Sequence, residues 1–241
     1  MVPRRPGPRG MRILLVAAEA REFEGVLARA SGNTPVSAGA DWARSCRIGD
    51  SEALLVANGA GRKRAAAAAG AGIDAWRPDA VVSTGFCGAL DEGLGVADVV
   101  LGTNFLPDTA GPGSPPQAWR PASHRGRILT VDHVVRTSEE KAKLRATGAI
   151  AVEMEAAGVA ERARERGLPF FCIRAVTDLA GENLANDFGA ALRSDGHFDT
   201  ITVLTGALRH PSTRVPELFR LRSRCKWAAR ALGDFFAVCG F

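Results

Sequence analysis

Short apolar runs alternate with helix-spaced segments along most of this chain, and that alternation limits the fold more than any other feature. Residues 11–17 (MRILLVA) form a continuous apolar run of the length that suits a buried parallel strand. Residues 19–30 follow, with Phe23, Val26 and Leu27 at helical spacing. A second run at 53–57 leads through Gly59, Ala60 and Gly61 into an Ala-rich helix that ends near Trp76. Strand 79–84 (DAVVST) is expected to run into a glycine-containing turn from Gly85 to Gly88. Further strands are expected at 96–102, 128–133, 149–154 and 169–175, with helices at 138–147, 155–166 and in the C-terminal region. This order predicts an α/β chain, a three-layer α/β/α single domain around a central, mostly parallel mixed sheet. Ligands of such sheets lie beyond the C-terminal ends of the strands, so the residues just after each strand are the ones to inspect.

Composition narrows the function classes. The 241 residues are enough for one large domain with a real core, and 46% hydrophobic with 24% charged residues is ordinary for a globular protein. No apolar run reaches the roughly 18 residues that a membrane span needs. Residues 1–10 (MVPRRPGPRG) lack an apolar core, so they read as a disordered tail rather than a secretory signal. The five cysteines are scattered without a CxxC pair and the four histidines lack HxxxH spacing. Neither pattern suits a disulfide framework or a metal site, and a reducing, cytoplasmic setting is expected. No aromatic-interleaved basic motif of a nucleic-acid module is present. Residues 105–126 break the alternation: five prolines and three glycines predict a long loop, either a flap near the site or an excursion without a role.

The densest chemistry is in Ala151-Val-Glu-Met-Glu-Ala156, followed by Ile173-Arg-Ala-Val-Thr-Asp178. Glu153 and Glu155 stand at a strand-to-helix junction, where two carboxylates are costly in a plain core but useful for accepting hydrogen bonds from vicinal hydroxyls. Asp178 ends the run PFFCIRAVTD, where a partly desolvated carboxyl could hold and deliver a proton near neutral pH. The same residues also fit a capping Asp beside two ion-paired glutamates.

AVEMEAAGVA followed by RAVTD resembles the signature of the nucleoside phosphorylase and nucleosidase superfamily, and especially its methylthioadenosine/S-adenosylhomocysteine nucleosidase branch. The likeness extends to MRILLVAAEAREFE at the front and DAVVSTGFCGALDEGLGVADVVLG in the middle, in the expected order across most of 11–185. It implies a phosphorylase/hydrolase-like fold and cleavage of the N-glycosidic bond of a purine nucleoside, without metal or organic cofactor. Carried over residue by residue, it implies that Glu155 binds the ribose hydroxyls and Met154 packs against the sugar. Asp178 would protonate or hydrogen-bond the purine at N7, with Thr177 beside it as a substrate-binding residue. Glu22 would hold the attacking water and Arg174 would orient that carboxylate or water. Val134 and Val135 would line the base pocket. By the same analogy a homodimer is expected.

Hydrolysis and phosphorolysis remain to be separated. Phosphorylases of the superfamily place a GDPxR-like loop after the first strand, whereas this chain has AAEAREFE, which supplies Glu22 and favours water. Arg62 and Arg64 open the Ala-rich helix, where a phosphate could meet basic side chains and backbone amides together. Phe86 stands where the family has a small residue, so its ring should narrow the sugar region or pack on an unusual apolar 5′ substituent. The stretches RATGAIAVEMEAAGVA, RAVTDLA and Ser194-Asp-Gly196, with the Arg-rich terminus, also resemble the hopanoid-associated phosphorylase/nucleosidase branch, linked to removal of adenine from adenosylhopane. Two other classes are weighed: a nucleophile elbow with Cys87, which lacks the glycine needed at position 89, and a nucleoside-binding protein without catalysis.

Three units are expected: the tail 1–10, a nucleoside phosphorylase/nucleosidase domain 11–210, and an amphipathic helical extension 211–241. The extension carries most of its charge in one sign, with seven Arg/Lys against one Glu over 209–230. Leu218, Leu221, Cys225, Ala228, Leu232 and Phe235 recur at steps of three and four, which predicts one helix over 216–236 with Pro216 in its first turn and Glu217 beside its dipole. That helix either docks on the body or meets an anionic membrane surface.

Overall fold

The computed structural model describes residues 10–106 and 123–239. Among these residues nine strands form one mixed sheet: β1 (Arg12–Ala17), β2 (Ser31–Pro35), β3 (Trp42–Ile48), β4 (Ser51–Ala57), β5 (Ala80–Ala89), β6 (Val99–Leu106), β7 (Ser123–Thr130), β8 (Ala149–Glu153) and β9 (Phe170–Asp178). The order is β2-β3-β4-β1-β5-β8-β7-β6-β9, and β5 also pairs with β9. The last five strands therefore close into a ring, from which β1, β4, β3 and β2 extend as an open wing. Antiparallel pairs (β2–β3, β3–β4, β5–β8, β6–β9) stand beside the parallel ones, so the sheet is more mixed than the alternation implied.

The helices are α1 (Glu24–Leu27), entered through a 3-10 turn at Ala20–Phe23, then α2 (Arg62–Trp76), α3 (Ser138–Arg145) and α4 (Ala156–Glu165). After β9 come α5 (Phe188–Ala191), α6 (Thr200–Leu208) and α7 (Pro211–Val238). Side chains alternate across β1, which gives the sheet two apolar faces. Leu14 and Val16 pack with Ala65, Ala68 and Ala69 of α2 and Val159 of α4, while Ile13 and Leu15 pack with Leu232, Phe235 and Phe236 of α7. This is the expected helix–sheet–helix layering. No helix among the described residues is long and apolar enough to cross a membrane.

Several expectations need correction. Gly85–Gly88 is not a turn: β5 runs through it, with Gly85 paired to Arg174 and Phe86 to Ala175. The wing strands β2 and β3 were not expected, because SGNTP is polar and exposed throughout and WARSCRI carries two arginines. The expected loop 105–126 begins and ends as strand in β6 and β7, and 107–122 lie outside the described residues. The C-terminal helix starts earlier than expected, with Pro211 in its first turn and Pro216 inside it. The predicted stripe also divides. Ala228, Leu232 and Phe235 enter the core, whereas Leu218, Leu221 and Cys225 are half-buried along a cleft.

Candidate active site

A cavity of about 200 Å³ opens where β1, β5, β7, β8 and β9 end, and it is lined by Glu22, Phe86, Met154, Glu155, Thr177 and Asp178 among others. Val134 and Val135 line it too, so most of the residues singled out from the sequence meet in one place. They come from five separate stretches of chain.

Arg174, fully buried on β9, organises the floor. It donates to the Thr84 carbonyl at 2.9 Å and the Ser83 hydroxyl at 2.7 Å, and it pairs with Glu153 and, at 3.4 Å, with Glu155. Gly85 makes the crowding feasible. Its φ is +128°, and a Cβ there would lie 2.3 Å from Glu22 Oε1 and 3.0 Å from Arg174 Nη1. The glycine that looked like a turn signal is required for close approach inside a strand.

The three carboxylates are not equivalent. Glu153 Oε2 accepts the amides of Glu155 and Ala156 at 2.8 Å each, and Oε1 accepts the Thr130 hydroxyl. With Arg174 also on Oε2, Glu153 caps α4 and holds the arginine, so it has little left for a substrate, contrary to the role expected for it. Glu155 Oε1 accepts the Gly61 amide at 2.9 Å. Burial pushes its carboxyl up to about 7, with the neighbouring Glu153 and Glu22 adding to the rise and Arg174 opposing it. Glu22 Oε2 accepts the amides of Ala18 and Glu19 at 2.8 Å, and Oε1 accepts that of Phe86 at 2.7 Å. A carboxylate offers about four acceptor positions, so Glu22 retains one on Oε1. Burial raises its carboxyl above the ordinary value, against the pull of Arg174. Arg174 reaches Glu153 and Glu155 by hydrogen bonds and acts on Glu22 through its charge, which refines the orienting role expected of it.

At the other end, β5 and β9 slip register between Cys87 and Gly88, so Gly88 pairs with Asp178 and Thr177 falls at the irregularity. Such a bulge re-aims the side chains beside it. The Thr177 hydroxyl donates to Asp178 Oδ1 at 3.1 Å, and Lys141 of α3 donates to Asp178 Oδ2 at 2.5 Å. Lys141 was missed in the sequence, where nothing separates it from the solvated lysine Lys143 two positions on. His133, also missed, lines the cavity and bonds Asp132 at 2.9 Å and Glu140 at 2.6 Å, and these partners raise its pKa.

Arg62 and Arg64 do not line the cavity. Arg62 pairs with Glu161 at 3.2 Å and Arg64 donates to the Asn58 carbonyl at 3.3 Å. The Gly61 amide at the start of α2 is engaged by Glu155, which leaves one donor fewer for a phosphate there. Cys87 is no elbow nucleophile either: it sits within a strand, and burial holds its thiol well above the ordinary range, away from the reactive thiolate.

Beyond Phe86 lies a second cavity of about 580 Å³, which shares Arg21, Phe86, Thr177, Asp178, Leu184 and Phe198 with the first. Its far wall is Val203 and Leu204 of α6 with Leu218, Leu221 and Cys225 of α7.

The phosphorylase superfamily model matches residues 12–122 and 113–197. A 5′-methylthioadenosine/S-adenosylhomocysteine nucleosidase from Staphylococcus saprophyticus is 28% identical over 177 residues, covering 61% of this chain and 77% of that protein. The fold is shared with a nucleosidase of the same name from S. pneumoniae, solved with a transition-state inhibitor (TM-score 0.66, 21% identity, 94% of this chain and 99% of that one). It is also shared with futalosine hydrolase from Helicobacter pylori (TM-score 0.64, 16% identity, 93% and 98%). With the family match spanning β1 through α5 and every carboxylate of the cavity, the chain belongs to the phosphorylase superfamily.

Proposed function

We propose that the protein hydrolyses the N-glycosidic bond of an adenine-type nucleoside and releases the free base. The observation that carries this reading is one cavity with Glu155 and Met154 toward one end, Asp178 toward the other, and Glu22 with a single acceptor position open. The nucleosidase relative supports the same reaction. As the C1′–N9 bond lengthens, its electrons pass into the purine and positive charge develops on the sugar. Asp178 gives a proton to the base, help that is typically worth ~10²–10⁴ in rate. Glu155 accepts the ribose hydroxyls, and the surplus of carboxylates over Arg174 suits the cationic sugar. Water held on Glu22 attacks C1′ and gives up its proton to that carboxylate. Water rather than phosphate is supported by the engaged Gly61 amide and by the bonding of Arg62 to Glu161 and of Arg64 to the Asn58 carbonyl. In phosphate-free buffer the products should be free base and reducing sugar, and Asp178→Asn should slow release about a hundredfold or more. A strict need for phosphate, or a folded Asn variant with full turnover, would overturn the reading.

A second observation bears on the 5′ substituent. The larger, mainly apolar cavity reached past Phe86 has room for a bulky apolar substituent on the nucleoside, and the side chain of adenosylhopane is one such group. A methylthioadenosine-sized group would leave most of that volume empty. The wall continues into an outer groove of α6 and α7, where Leu208 (69%) and Phe219 (66%) are exposed in company with Arg222. This chemistry fits an anionic lipid surface from which such a substrate would enter. Leu208→Glu with Phe219→Glu should abolish co-sedimentation with phosphatidylglycerol vesicles. Vesicle-independent self-association lost in the same variant would instead make the groove an interface between copies. A preference of kcat/KM for methylthioadenosine over a long-chain 5′-alkyl adenosine would remove the lipid reading.

A further inference from the structure

Lys141 is the one fully buried residue of α3, whose other positions are exposed or half-buried, and its exposure is 0%. A surface helix can fill one buried position with leucine at no electrostatic cost, whereas a buried ammonium is tolerated only when paired. Here Nζ donates to Asp178 Oδ2 at 2.5 Å and to the Leu179 carbonyl at 2.6 Å. The start of α3 is fixed by the Thr137 hydroxyl, which accepts the Glu140 amide at 3.2 Å. Gly88 keeps room for the pair, since a Cβ there would lie 2.9 Å from Asp178 Oδ2. One oxygen of the carboxyl group is thus clamped, and Oδ1 has the Thr177 hydroxyl as its partner.

We propose that Lys141 is a positioning residue for departure of the base, acting through Asp178. The inference rests on the reading of Asp178 given above. When the proton leaves Asp178 for the purine nitrogen and the C1′–N9 electrons enter the ring, a carboxylate is left beside an electron-rich base. The Lys141 ammonium, already bonded to Oδ2, offsets that new negative charge without gaining or losing a proton. It also fixes the rotation of the carboxyl group, so the transferring oxygen does not have to be selected at the moment of reaction.

Two substrates separate this role from a structural one. Adenosine-type nucleosides need a proton on the leaving base, whereas p-nitrophenyl β-D-riboside releases a stable phenolate without one. Lys141→Met should lower kcat for the nucleoside by about tenfold or more with a smaller change in KM. It should leave cleavage of the p-nitrophenyl riboside within about threefold, as Asp178→Asn should, which also verifies that both variants are folded. The double variant Lys141→Met/Asp178→Asn should be no slower on the nucleoside than Asp178→Asn alone, because residues acting as a unit are not additive. Equal losses on both substrates, multiplying losses in the double variant, or unchanged nucleoside cleavage would each overturn the proposal. A wild-type protein that cleaves neither substrate would instead sink the reading of the whole site.

Discussion

The floor of the cavity and the wall that follows Asp178 are built with the same device and differ in their charge balance. In both, glutamates that are buried or half-buried accept backbone amides. On the floor, Glu22 and Glu153 bind five amides between them, but one arginine, Arg174, serves three carboxylates. The shortfall shows in Glu22 and Glu155, both raised. In the wall, Glu217 of α7 accepts the amides of Ala185 and Asn186 at 2.8 Å and the Asn186 side chain at 2.7 Å, with Arg220 at 3.6 Å. Glu182 accepts the Leu179 amide at 3.0 Å and is gripped by Arg224 at 2.6 and 2.8 Å. There each carboxylate has its own cation, and Glu182 is lowered to about 2, chiefly by that bond. Surplus charge marks the region that would meet a developing cation, and balanced charge marks the region that only holds a loop in place.

The largest effect should come from removing Arg174, the cation that serves the floor among the described residues. Arg174→Met leaves Glu153 and Glu155 buried without a counter-ion, and breaking a buried pair in this way costs about 3–5 kcal/mol. At this size that is about 6–20 °C in Tm, measurable by calorimetry. A shift under about 2 °C would mean the cluster relaxes by taking up protons, and the contrast between floor and wall would weaken. In the wall, Glu217→Ala strands three donors but no opposite charge at full burial, since Arg220 is half-exposed and free to turn to water. About 2–3 kcal/mol is expected. A loss equal to that of Arg174→Met would show that the two regions do not differ as described.

This difference explains what was legible in the sequence. Glu155 and Asp178 stand at the ends of strands, so the period of the apolar runs located them before any contact was known, while Met154 was found through the resemblance. Glu22 and Arg174 were found through the resemblance. Glu153 was misread because capping α4 and holding Arg174 are properties of the folded neighbourhood, not of a Glu two residues from another. Gly85 was misread because a glycine that makes room for Glu22 Oε1 is spelled like one that makes a turn. Glu217 seemed a helix-dipole residue, since α7 was expected to start at Pro216. With Pro211 in the first turn, Glu217 lies in the second turn of the helix and faces inward. Lys141 carried no signal at all, because its burial is decided by Asp178 on another element.

The smallest effect is a matter of sign, and it tests the contrast most directly. Glu155 titrates at about 7 in the folded chain against an ordinary 4.5, so the folded state binds more protons between those values. Its contribution to stability therefore falls as pH rises from 4.5 to about 7 and is constant above. Glu182 runs the other way. Its folded value near 2 lies below 4.5, so its contribution is intact above 4.5 and is lost as pH falls toward 2. Urea midpoints of Glu155→Gln and Glu182→Gln, each read against the wild type, should separate the two. The Glu155→Gln difference should change between pH 5 and 7.5, and the Glu182→Gln difference only below about 4.5. If the working form of Glu155 is the carboxylate that accepts ribose hydroxyls, kcat/KM should rise about tenfold per pH unit below 7. Glu182→Gln should keep that limb, whereas Glu155→Gln should abolish it along with most of the activity. A limb unmoved in Glu155→Gln would assign it to Glu22, the other raised carboxyl of the floor, and would leave Glu155 a binding group without a pH-dependent task.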